Sequence, residues 1–86
     1  MQRILKVLEE ISSNPGDVRF KDLYRVCVFF FGEPRVKRGS HIIFRMPWSG
    51  DPRINIQNSK GKAKEYQVRQ VLLAIEKLRQ EGRSRG

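Results

Sequence analysis

Gly39-Ser40-His41 leads directly into the alternating run Ile42-Ile43-Phe44-Arg45-Met46, which sets the chain's only histidine at the start of an expected strand. Imidazole is the side chain whose ordinary titration lies nearest neutrality. At a glycine-permitted turn and among many cations, His41 is therefore a candidate proton-transfer group acting on a phosphate backbone. No other residue in the chain fills that role as readily. A lone histidine at a strand start can equally be structural or merely exposed, and spacing by itself leaves both readings open.

The charges around this histidine point the same way. From Gly32 to Arg69 the basic residues are Arg35, Lys37, Arg38, Arg45, Arg53, Lys60, Lys62, Lys64 and Arg69, against the acidic Glu33, Asp51 and Glu65. Two thirds of the formal net charge of +9 thus lies in that segment. Such a field attracts polyanions, and each cation that neutralises a phosphate releases counterions, so binding through this region should weaken steeply with salt. RNA, DNA, an anionic membrane or an acidic protein are the partners it suits. A basic run is also an ordinary solvated face, and the lysines around Gly61 can serve solubility alone. Trp48, between Pro47 and Pro52, can pack on a sheet edge or stack on a base.

Other chemistries find no residues to carry them. There is no Cys/His cluster for zinc, no phosphate-binding glycine loop and no nucleophile elbow, and the carboxylates are too scattered for a two-metal nuclease site. No metal or cofactor is expected, so any cleavage should be metal-independent. The single cysteine, Cys27, cannot form an internal disulfide and reads as a small buried hydrophobe between Val26 and Val28. Met1 to Glu10 mixes charges among its apolar residues, unlike a signal peptide, and Val26 to Phe31 is too short to span a bilayer, so a cytoplasmic location is expected.

The elements that must position His41 follow from periodicity. At 86 residues the chain makes one domain, which buries roughly 60 to 65% of its unfolded surface and leaves any substrate largely on the outside. Ile4, Leu5, Leu8 and Ile11 predict a first amphipathic helix over residues 1–16, ended by Ser12-Ser13-Asn14-Pro15-Gly16. Asp17 opens a second segment, whose helical stripe is Phe20, Leu23, Tyr24, Cys27, Phe30 and Phe31, until Gly32 caps it and Pro34 bars continuation. The period then changes to two. Arg35-Val36-Lys37 predicts a short strand, Arg38-Gly39 a turn, Ser40 to Met46 a second strand, and Arg53 to Gln57 a third beyond a turn-rich stretch. Asn58 to Lys64 reads as a polar basic loop that joins the amino end of the last helix in a positive cluster. That helix carries the stripe Val68, Val71, Leu72, Ile75 and Leu78 and is expected to stop at Gly82, leaving 82–86 as a flexible tail. The expected fold is α+β, a small two-layer sandwich in which a three-stranded antiparallel sheet carries helices on one face. With Ile42, Phe44 and Met46 facing the helices, His41, Ile43 and Arg45 turn outward, joined by Arg53, Asn55 and Gln57.

Phe20-Lys21-Asp22-Leu23 opening a helix, Gly32 ending it, Gly39-Ser40-His41-Ile42-Ile43-Phe44, and a final helix after a basic loop together resemble the HicA family of bacterial toxins. The likeness runs from about Asp17 to Leu78 and leaves the first helix as an addition to a 17–80 core. The resemblance implies a fold like the double-stranded RNA-binding domain, α-β-β-β-α, and an mRNA interferase activity with His41 as catalytic residue. It also implies inhibition by a HicB-type antitoxin bound over the site, and it likens the Lys60 to Lys64 cluster to the basic helix end with which that fold grips RNA phosphates. In the mechanism that follows, neutral His41 takes the proton of a ribose 2′-OH, the oxygen attacks phosphorus, and Arg45 with Lys37 or Arg38 stabilises the phosphorane. Arg35, Ser40, Arg53, Lys60, Lys62, Lys64 and Arg69 are then RNA contacts. Without a second imidazole, water or a lysine must protonate the leaving oxygen. The alternatives in sequence terms are a non-catalytic RNA-binding module and a basic subunit that docks an acidic protein.

Overall fold

A computed structural model of the chain describes residues 2–48, 50 and 52–85. The element order is α1 (Gln2–Ser13), α2 (Phe20–Phe31), β1 (Val36–Arg38), β2 (His41–Arg45), β3 (Arg53–Ser59), β4 (Lys62–Ala63) and α3 (Glu65–Arg85). The strands form one antiparallel sheet in the order β1-β2-β3-β4. Helices α2 and α3 pack against the sheet, and α1 packs against α2. The class is α+β as expected, but the sheet has four strands rather than three.

Burial follows the apolar periods. Ile42, Phe44 and Met46 of β2 and its exit, with Ile56 of β3, are buried against Leu23, Val26 and Cys27 of α2 and Val68, Val71, Ala74 and Ile75 of α3. Phe44 is fully buried, with the rings of Tyr24 and Phe31 at centroid distances of 6.1 and 6.2 Å. Truncating such a residue to alanine costs about 3 to 5 kcal/mol. Helix α1 contributes Leu8 and Ile11, while Leu5, off this stripe, stays exposed. Because α2 touches α1 as well as the sheet, its buried face is wider than one stripe and takes in Val26.

Several boundaries are set by local interactions, and not all fall where the sequence places them. Helix α2 begins at Phe20, as the opening Phe20-Lys21-Asp22-Leu23 implies, and the segment from Asp17 does not start helical because the Phe20 N–H donates to the Gly61 carbonyl (2.9 Å) and the Ala63 N–H to the Val18 carbonyl (2.8 Å), which holds residues 18–19 extended beside β4. Its other end is as expected: Gly32, at φ +84°, donates to the Val28 carbonyl. The segment Asn58 to Lys64 is not a loop but a hairpin, with Asn58 opposite Ala63 and Ser59 opposite Lys62. Lys60 and Gly61 both have positive φ, 53° and 85°, as a two-residue type I′ turn requires, and the Gly61 N–H is taken by the Asn58 side chain at 2.6 Å. Finally, α3 runs through Gly82 to Arg85, so the expected stop at Gly82 is not used. A helix interior tolerates glycine at a cost of roughly 1 kcal/mol.

Candidate functional site

The β1–β2 hairpin fixes where His41 stands. Arg38 and His41 are paired across the two-residue loop Gly39-Ser40, one position later than the expected turn at Arg38-Gly39. Gly39 has φ +55° and Ser40 a negative φ, the pattern of a type II′ loop, for which glycine at the first position is preferred. The Asn58 N–H donates to the Ser40 carbonyl at 3.0 Å and ties the loop to β3. His41 is exposed, and its backbone is paired with a strand on each side.

The register then builds the face row by row. His41 sits between Arg38 of β1 and Gln57 of β3. The next row on the same face is Val36, Ile43 and Asn55, and the last is Arg45 opposite Arg53. Neighbours across such a row have Cβ atoms about 4.5 to 5.5 Å apart, so one phosphate can meet the imidazole and the Arg38 guanidinium together. Apart from the half-buried Val36, Ile43 and Gln57, these residues are exposed. The outward set expected from period two is observed in full.

Not every expected site residue joins this face. Lys37 is the Cα partner of the buried Ile42 and points to the helix side, where its ammonium lies 5.3 Å from the centre of the Tyr24 ring. Its hydrogen bond and charge interaction with Tyr24 hold its pKa above the ordinary lysine range. Of the two candidates for the cation beside His41, Arg38 therefore has the position and Lys37 does not. Arg35 precedes β1, exposed, with its N–H on the Ile43 carbonyl at 2.8 Å.

The basic cluster lies at the His41 end of the sheet, because β3 runs antiparallel to β2 and turns into β4 there. Lys60 stands exposed at the hairpin tip and Lys64 is half-buried beside the start of α3. Lys62 is ion-paired with Asp17, whose pKa is lowered by that hydrogen bond and charge. Arg69 is bound to Glu65 one turn earlier at 2.7 Å. The positive cluster expected there is thus thinned to Lys60 and Lys64.

Gln67, which the sequence did not single out, supports the site. Gln67 is 3% exposed, and its Oε1 accepts the Gln57 N–H at 2.7 Å. β4 has given way to α3 at that point, so the side-chain amide replaces the missing ladder acceptor and holds the strand residue opposite His41. Trp48 lies beyond β2, with the Lys77 ammonium 4.6 Å from its ring centre. Among the described residues no three His, Cys, Asp or Glu side chains gather as a metal site, and no helix is long and apolar enough to cross a membrane.

No protein-family model, no curated protein and no solved structure matches the chain. What can be inferred about function therefore rests on the face itself.

Proposed function

We propose that the chain is a metal-independent endoribonuclease, an mRNA interferase of the type its sequence resembles, in a fold akin to the double-stranded RNA-binding domain with one helix added in front. The observation that carries the reading is the row Arg38, His41, Gln57: an exposed imidazole on a strand paired on both sides, between a guanidinium and an amide, on a face with two further arginines. His41 accepts the 2′-OH proton, the freed oxygen attacks the adjacent phosphorus, and the 5′ oxygen leaves with a proton from water or a nearby lysine. Arg38 stabilises the charge that builds on the phosphoryl oxygens, and Gln57 donates a further hydrogen bond. Arg45, Arg53, Lys60 and Lys64 hold neighbouring phosphates.

DNA, lacking the 2′-OH, is bound and spared. The natural restraint on such an activity is an acidic antitoxin of the HicB type laid over the same open face, and the cytoplasm is where both mRNA and that partner are met. The test is incubation of the protein and of His41→Ala with a long single-stranded RNA in EDTA, with fragment ends read for 2′,3′-cyclic phosphate. Cyclic ends from the native protein and a loss of about 10²- to 10⁴-fold in the variant are expected. Intact RNA with both proteins, given salt-sensitive binding by each, would leave a non-catalytic RNA-binding module.

A further inference from the structure

At the end of the sheet remote from the Lys60 hairpin, the carboxyl end of α2 and the exit of β2 enclose a groove of about 430 Å³ lined by Phe30, Phe31, Arg45, Met46, Pro47 and Trp48. The reaction described above uses none of it but Arg45. We propose that this groove is a base-binding subsite, which takes an unpaired nucleobase of the RNA whose scissile phosphate lies at His41. The inference rests on the proposed RNA-cleaving function and adds what part of the RNA is recognised away from the cut.

Three features favour a base over other occupants. The lining combines three aromatic side chains with a guanidinium, the composition with which proteins hold single-stranded nucleic acid, because every base offers a π-face for stacking. A second cation, Lys77, stands over the Trp48 ring, so positive charge is available for the phosphates that flank a stacked base. Arg45, which lines the groove, also stands on the candidate active face, four residues along β2 from His41. At the rise of a strand that separation is roughly 13 Å, which an extended RNA strand covers within a few nucleotides. A base still paired in a duplex is not free to enter, so the subsite confers preference for single strands.

Trp48 is the chain's only tryptophan and serves as the reporter. The whole chain is titrated with a short 2′-O-methyl RNA strand, which has no free 2′-OH to attack its phosphates, with the same strand in duplex, and with an abasic strand of equal phosphate count. The intact single strand should change Trp48 emission saturably, and the abasic strand should bind roughly 5- to 140-fold more weakly, the loss expected for one stacked base. Trp48→Leu, followed by anisotropy of a labelled strand, should lower affinity for the intact strand within that range and leave the abasic strand unaffected. Equal affinity for intact and abasic strands with unchanged Trp48 emission overturns the subsite while the cleavage reading stands, and leaves the groove to an apolar segment of a protein partner. Failure of every strand to bind overturns both.

Discussion

Replacing Gln67 with methionine keeps an unbranched side chain of similar length and removes the carbonyl that accepts the Gln57 N–H at 2.7 Å. Since Gln67 is 3% exposed, the new side chain packs where the old one did, and the change isolates the hydrogen bond. A fully buried donor left without a partner costs about 1 to 3 kcal/mol. Gln57 is half-buried, which puts the loss in the lower part of that range, about 1 to 2 kcal/mol. With urea slopes of about 1 to 3 kcal/mol/M for small domains, the unfolding midpoint should fall by roughly 0.3 to 2 M at unchanged slope. Circular dichroism follows the transition, and hydrogen exchange at the Gln57 amide reports the same bond locally. Since Gln57 is paired with His41, the folded variant should also cleave RNA more slowly than the native protein. A midpoint within about 0.2 M of the native protein, with an unprotected-to-protected ratio at Gln57 also unchanged, would refute the assignment of Gln67 as the substitute for a β4 acceptor.

Gly39→Ala places a Cβ at φ +55° and should destabilise by about 1 to 2 kcal/mol, measurable as a lowered melting temperature, even though nothing lies within 4 Å of the added atom. Asp17 has a depressed pKa through Lys62, so its ion pair contributes above the usual carboxylate range and is lost as pH falls through the depressed value. Lys62→Met should therefore be less stable than the native protein at neutral pH, and the two should converge well below about pH 4. A gap that persists in acid would assign the loss to packing instead. Burial pushes the Cys27 thiol up to about 12, so the folded protein should react with iodoacetamide only as fast as it unfolds, while denatured protein should be labelled at once.

Much of the site was legible because its elements are strands with one buried face. Ile42, Phe44 and Met46, and Ile54 with Ile56, alternate cleanly, and alternation alone turns His41, Arg45, Arg53 and Asn55 outward. What escaped the sequence lacked a period long enough to see. β4 is two residues long, and its turn places a lysine, not the asparagine or aspartate usually found there, at the first positive-φ position. Lys37 is one of three strand residues, too few to show which face it takes until its partner Ile42 is known. Gln67 stands just before the apolar stripe that starts at Val68, and its task exists only because β4 ends one residue before Gln57 needs a partner. The Trp48 groove joins the end of α2 to the exit of β2, a meeting that only tertiary structure creates.

The same register that presents the imidazole is what the core stabilises. A slip of one residue in β2 would send Ile42, Phe44 and Met46 to solvent and carry His41 and Arg45 inward. The slip exposes three large apolar side chains and buries one, Ile43, at about 1.5 to 3 kcal/mol each, so roughly 3 to 6 kcal/mol holds His41 on the open face before any penalty for burying a guanidinium is added. That margin is comparable with the whole stability of a domain this size. On the proposed reading, cleavage and folding are coupled through β2: substitutions at Ile42 or Phe44, on the face opposite His41, should weaken activity only to the extent that they loosen the strand pairing that aligns Arg38, His41 and Gln57.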